Sequence, residues 1–465
     1  MTHGRKVRHG RVAIPALLLI SAGALIAART IPVSAQQPTF RSTVDLVAVD
    51  VQVVDKDGRP IGSLKPGDFE VQIAGKKRRV VSADFIESAS TDTASGGAGI
   101  AKWRPEQTVD AASELGAART FVLAFDTDSF TVGESRDVVA AARTFIHELR
   151  PNDAVGLYTF PVGPRREPTL EHVAVSRDVD TIVGRSQSMI GEYNLSAAEI
   201  IDITAETARD FARATALSTS TTPGGGAAAG NTGGSNANAN AAGANAASAS
   251  TVAETALQRV QLRECGALES SCADSIRAEA NSKAFYLEGR ATEGLNGLRS
   301  LIQLLGEQPG RKTVVVFSTG IPATDRPGGR PDVGDIAKLL GQDAAATNTT
   351  IYTLLVNTRG FQSMASETRK NDRIPTSLSR DTAVASRLLE EFSGASGGAL
   401  MRVLMGGGDV ALDRVLRETS SHYLLGVEPA DTDRDGSLRE LRVKIGQNGA
   451  TIRARSWVVV PKRKI

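Results

Sequence analysis

From Thr43 to Glu87 apolar and polar positions alternate in short runs. Val44, Leu46, Val47, Val49 and Val51 lead into Val53-Val54, and Asp55-Lys56-Asp57-Gly58 then supplies the Asp-Gly pair of a hairpin turn. Phe69-Glu70-Val71-Gln72-Ile73 alternates again, Ala74-Gly75-Lys76-Lys77 turns, and Arg79–Phe85 returns. These short strands predict a small β-sandwich within residues 36–87. Residues 88–117, rich in Ser, Ala, Gly and Thr, show no apolar period and read as a linker.

The texture changes at Arg119. Phe121–Phe125 is an unbroken apolar run, as for a strand buried on both faces. Glu134–Leu149 then sets Val138, Val139, Ala142, Phe145, Ile146 and Leu149 on one helical stripe. Ala154–Phe160 reads as a second strand and Leu170–Val175 as a third. Helical periods at Leu295–Leu305, Val333–Ala346, Ala383–Phe392 and Val410–Thr419 alternate with strand runs at Thr313–Phe317, Ile351–Val356 and Ala399–Val403. This alternation predicts an α/β unit over 118–420, with a doubly wound, mostly parallel sheet and helices on both faces. A helical insertion at 195–285 interrupts it. Inside the insertion, residues 218–251 contain only Ser, Thr, Pro, Gly, Ala and Asn, a composition expected to be disordered. Residues 421–465 return to β texture, as a separate cap or as strands joined to the N-terminal sandwich.

Charge first suggests a basic protein, with 54 Lys+Arg against 52 Asp+Glu and a net charge of +2. Arg5, Lys6, Arg8, Arg11 and Arg29 all precede residue 36, where no acid occurs, so the remainder carries −3. That segment joins a basic start to the apolar run Val12–Ala28 and the small-x-small site Val33-Ser34-Ala35. It reads as a signal peptide over 1–35, giving a periplasmic, cell-envelope or secreted protein. Left uncleaved, it would be a membrane anchor. A faintly acidic mature chain gives no reason to expect nucleic acid as a partner. The basic run Lys76-Lys77-Arg78-Arg79 is countered by Asp68, Glu70 and Asp84 and reads as a solvated face.

Catalytic and metal motifs are scarce. Only His147, His172 and His422 follow residue 35, and no HExxH, CxxC, phosphate loop or GxGxxG is present. Gly394-Ala395-Ser396-Gly397-Gly398 fits GxSxG, but a helical pattern precedes it and an apolar run follows. That is the reverse of a nucleophile elbow. Asp431-Thr432-Asp433-Arg434-Asp435-Gly436 begins like a calcium loop, but its twelfth position is Arg442, so a hairpin turn is favoured over weak Ca²⁺ binding. Cys265 and Cys272 would stand about 10 Å apart in an unbroken helix, too far to bond. Gly266 and Ser270-Ser271 weaken that helix, so a disulfide closing a local loop is the favoured alternative, with a structural role.

The sharpest candidate chemistry lies where the first buried strand ends. Ligands of open α/β sheets bind beyond the carboxyl ends of the strands. There Asp126, Thr127, Asp128 and Ser129 offer two carboxylates and two hydroxyls, a set suited to Mg²⁺ or another divalent cation. The run from Thr120 to Ser129 resembles the first strand and metal loop of a von Willebrand factor type A (VWA) domain. Leu149–Phe160 and Gly310–Gly320 are similar to later strands of that family. The flanks, with Val54-Asp55-Lys56-Asp57-Gly58, Asp68-Phe69-Glu70-Val71 and Tyr423-Leu424-Leu425-Gly426-Val427, resemble acidobacterial-type VWFA-related proteins.

This resemblance implies a VWA-like sheet in an exported protein; with the strand-edge rule and the scarcity of catalytic motifs, it leads to the expectation of a non-enzymatic protein that binds an unknown protein partner. It also implies a degenerate metal-ion-dependent adhesion site. By position, Asp126 matches the family's first Asp and Asp128 stands at its first Ser. Phe130 replaces the second Ser, Thr292 supplies the Thr, and Thr319 replaces the later Asp. The expected metal set is therefore Asp126, Asp128, Ser129 and Thr292, with Thr127 and Thr319 on the partner-binding edge. Two other readings stay open: a metal-dependent hydrolase using Asp126 and Asp128, and a purely structural envelope component.

Overall fold

The structure is a computed structural model, and it describes residues 46–87, 119–186, 191–220, 254–357, 378–404, 407–447 and 449–462. The expected signal segment, the 88–117 linker and the low-complexity tract from residue 221 on lie outside these residues. Three strands come first: β1 (Val47–Val54), β2 (Phe69–Ile73) and β3 (Lys76–Glu87). Then follow β4 (Thr120–Asp126), α1 (Val132–Glu148), β5 (Ala154–Phe160), β6 (Arg165–Thr169) and α2 (His172–Val179). A helical stretch comprises α3 (Ala197–Ser220), α4 (Ala256–Cys265) and α5 (Ser270–Leu305). Strand and helix next alternate through β7 (Lys312–Ser318), α6 (Ile336–Ala346), β8 (Thr349–Asn357), α7 (Leu378–Ala395), β9 (Leu400–Leu404) and α8 (Gly408–Glu418). The last strands are β10 (Ser421–Glu428), β11 (Leu438–Ile445), β12 (Thr451–Ala454) and β13 (Trp457–Val459). Among the described residues no helix is long and apolar enough to cross a membrane.

The larger sheet has seven strands in the order β12-β1-β10-β3-β2-β11-β13, and every pairing in it is antiparallel. Strand β10 lies between β1 and β3, with Tyr423 opposite both Val51 and Phe85. Alternate residues Val47, Val49, Val51 and Val53 face one core with Phe69, Val71, Ile73, Tyr423, Leu425 and Val427. The two ends of the strand order, β12 and β13, are separated only by Arg455 and Ser456. The sheet therefore curls until its ends meet, where the Leu441 N–H donates to the Ser456 carbonyl at 2.8 Å.

The expected fold class is corrected by this arrangement. The protein is not a doubly wound, mostly parallel VWA-like sheet with small β flanks: the large sheet is antiparallel and curled, and the second sheet is mixed. The physical reason is that β1 to β3 each present one apolar face, which so short a stretch cannot cover alone. The C-terminal strands cover it by entering the same sheet, and alternation along the chain does not show which distant strand will pair.

The second sheet has six strands in the order β6-β5-β4-β7-β8-β9, with β6 antiparallel to β5. Strand β4 is parallel to both neighbours, with Asp126 opposite Phe160 and Phe125 opposite Phe317. The strand expected at Leu170–Val175 is instead a two-residue turn and the first turn of α2. Its place is taken by Arg-Arg-Glu-Pro-Thr, whose charges and proline suit an edge. Helices α1, α2 and α8 cover one face through Phe145, Ile146, Val175 and Leu412. The other face is covered by α5, α6 and α7 through Leu295, Leu298, Leu340 and Phe392.

A buried charge network joins the two sheets. Glu418, at 0% exposure, accepts from Arg414 at 2.8 Å and from Arg453 at 2.6 and 3.2 Å. The Tyr352 hydroxyl lies 3.1 Å from Glu418 and 2.8 Å from Gln52 of β1. Beside it, Asp50 faces Arg455 at 3.4 Å and His422 at 4.0 Å. Burial and the positive charge of Arg311 push the His422 imidazole down to about 4, against the opposing pull of Asp50.

Candidate functional site

Strand β4 delivers Asp126 to the carboxyl edge of the six-stranded sheet, and the chain then turns into α1. Thr131 caps that helix reciprocally: its hydroxyl accepts from the Glu134 N–H, and the Glu134 carboxylate accepts from the Thr131 N–H at 2.8 Å. Both capping partners are thus used within the helix start, which fixes the exit of the loop.

The five-residue loop between them is braced from three sides. The Ser129 N–H and hydroxyl both donate to the Asp126 carbonyl, at 3.0 and 2.8 Å. The Thr127 N–H donates to the Phe160 carbonyl at 3.0 Å, and its hydroxyl lies 3.2 Å from the carbonyls of Phe160 and Val162. From the end of β7, Ser318 donates to Asp126 Oδ2 at 2.9 Å. Thr319 bonds Ser129 twice, its N–H to the hydroxyl at 3.1 Å and its own hydroxyl to the carbonyl at 2.8 Å. The segment after α2 closes the third side, with the Arg185 N–H on the Thr127 carbonyl and the Ser186 N–H on the Phe130 carbonyl, each at 2.7 Å. Gly184 permits this approach, because a Cβ there would stand 2.3 Å from the Thr131 carbonyl oxygen.

Electrostatically the loop is a buried acid beside two arginines. Asp126 is 6% exposed, and burial pushes its carboxyl up to about 6. The Ser318 bond and the charge of Arg290 moderate that rise, whereas Asp128 adds to it. Arg290 reaches across from α5 and donates to the Asp128 carbonyl. Its guanidinium also lies 5.6 Å from the centre of the Tyr286 ring. Arg185 stands 3.7 Å from the Asp128 carboxylate, with side chains 51% and 21% exposed.

The sequence-predicted residues are only partly assembled here. Asp126, Thr127, Asp128, Ser129 and Thr319 share the loop and its brace. Thr292 does not join them: it is exposed on α5, and the α5 side chain that reaches the loop is Arg290. Phe130 is 1% exposed and part of the core beneath α1, so it offers the loop no oxygen. These donors do not fit a divalent cation. One carboxylate oxygen of Asp126 is held by Ser318, Asp128 faces Arg185, and two guanidinium groups already supply positive charge that would repel a further cation. Among the described residues no three His, Cys, Asp or Glu gather where they could hold a metal. Ser318, Arg185 and Arg290 are the residues that sequence reasoning missed. Ser318 ends a legible apolar run, but nothing in the pattern around Arg290 shows where its long side chain reaches.

The remaining candidates are accounted for locally. Cys265 and Cys272 are bonded, since Gly266 ends α4 at φ +75° and lets the chain turn back into α5. Asp433 takes both Arg78 Nε and Nη2, at 2.6 and 2.8 Å, which uses the central acid of the calcium-like loop and one member of the basic run. Ser396 of the GxSxG match is fully buried, donating to the Ser393 carbonyl and accepting from the Ile351 N–H. It is no exposed nucleophile. No family model matches the chain, and no curated protein matches it.

Proposed function

We propose that this is an exported, non-enzymatic protein-binding module whose contact surface is the carboxyl edge of the six-stranded sheet around Asp126–Ser129. One observation carries the reading: the Asp126 loop is locked by hydrogen bonds from β7 and the segment after α2, yet sets the half-exposed Arg185 beside the largely covered Asp128 at its outer side. A rigid, charged, preorganised loop lowers the entropy cost of docking. The same geometry disfavours the hydrolase reading. Ser318, whose hydroxyl bonds the Asp126 carboxylate, is fully buried, and it accepts in turn from the Gly320 N–H. Export is supported by the basic and apolar start of the chain and by a disulfide suited to an oxidising compartment. The resemblance of Thr120–Ser129 to an adhesion loop supports binding at this edge.

A photo-crosslinking residue at position 185, compared with one at the exposed Val173 at the other end of α2, tests the proposal. In a cell-envelope extract, position 185 should yield a discrete covalent adduct and position 173 none. Equal labelling, or none at position 185, would leave the loop as a structural feature of an envelope component.

A further inference from the structure

We infer that Arg290 is the resident counter-ion of the Asp126 loop, holding the place that sequence expectation gave to a divalent cation, so that this edge works without metal. Three observations converge. The Arg290 guanidinium donates to the Asp128 carbonyl, which puts its charge against the loop rather than in solvent. Its field acts on the buried Asp126 in the direction opposite to burial. Its position is set by helix packing, because Leu295 and Leu298, further along α5, are fully buried against the sheet. Arg185 supplies the second positive charge, beside Asp128.

The two acids, Asp126 and Asp128, are thereby matched by two cations of the chain itself. A divalent ion would have to enter against both guanidinium groups. Removing Arg290 uncovers a buried carboxylate with too little compensation, which is the condition under which a dissolved cation is drawn in. A partner docking at this edge would meet arginine, so acidic side chains of the partner are the complementary chemistry. The inference takes its site from the binding proposal and deepens it. Its readout is stability, so failure here leaves partner capture untouched, and failure to capture a partner leaves this test intact.

The test is a double-mutant cycle in thermal unfolding with Arg290→Gln, Asp126→Asn and the double variant. Arg290→Gln should lower the midpoint by several degrees in the wild-type background and by less than half as much in the Asp126→Asn background. Equal losses in the two backgrounds would overturn the inference. Millimolar Mn²⁺ should leave the wild-type midpoint unchanged and raise that of Arg290→Gln. A rise in the wild type as large as in the variant, or no rise in the variant, would count against it. Should Arg290→Gln fail to fold, Arg290→Lys keeps the charge: it should retain most of the stability and ignore Mn²⁺, and a Mn²⁺ response there would overturn the inference as well.

Discussion

Two buried acids, Asp126 and Glu418, sit in opposite circumstances in this molecule. Glu418 is surrounded by Arg414, Arg453 and Tyr352, and it ties α8 to both sheets. The Asp126 carboxylate has one hydroxyl bond, from Ser318, and is raised to about 6 by burial. The first is a satisfied joint, whose removal would leave the largely covered Arg453 and the partly exposed Arg414 without their shared carboxylate. The second is an acid whose ionisation at neutral pH costs the fold stability. A group kept ionised against its surroundings is where function is expected to have set the residue.

The contrast can be broken most sharply at the joint. Glu418→Ala should cost about 3 kcal/mol by urea unfolding, because it strands the largely covered Arg453 between the sheets and removes one acceptor of the Tyr352 hydroxyl. A loss like that of an exposed substitution would show that the two sheets do not depend on this contact.

The next effect is the pH response of the neighbouring histidine. His422 is held neutral in the fold at about 4 against an ordinary 6.5, so only the unfolded chain takes up its proton between those values. Its contribution is intact above pH 6.5 and falls as pH drops, by about 3 kcal/mol at pH 4. The fall should be shallower by that amount in His422→Gln, measured by urea unfolding at pH 7, 5.5 and 4. Parallel curves would remove His422 from the explanation.

The smallest effect separates the loop from the helix behind it. Thr292→Ala should change stability by no more than about 0.5 kcal/mol and leave crosslinking at position 185 unaltered, since Thr292 is exposed. A strong loss of either would place Thr292 in the site after all.

What could be read from the chain follows the range of the forces involved. The apolar run Phe121–Phe125 marks β4 and its end, because burial on both faces writes itself into consecutive residues. The loop at Asp126–Ser129 was legible for the same reason. Strand β6 was not, since an edge strand can be polar throughout. The insertion of β10 between β1 and β3 depends on pairings such as Val51 with Tyr423, across more than three hundred residues, for which neither stretch carries a mark. Thr292 and Arg290 are near neighbours on one helix, and only the packing of α5 decides that the arginine reaches the loop.

Asp126→Asn at pH 8 brings the two regions to one measurement, with stability and envelope-partner crosslinking read on the same preparation. Folding raises the Asp126 carboxyl from 3.8 to about 6, so the ionised acid destabilises the fold above that range and the penalty fades as pH falls toward 4. The amide should therefore raise unfolding stability by about 3 kcal/mol at pH 8. The crosslinked adduct at position 185 should decline at the same time. A variant less stable than the parent, or one that captures its partner undiminished, would contradict the assignment of Asp126 to a binding edge.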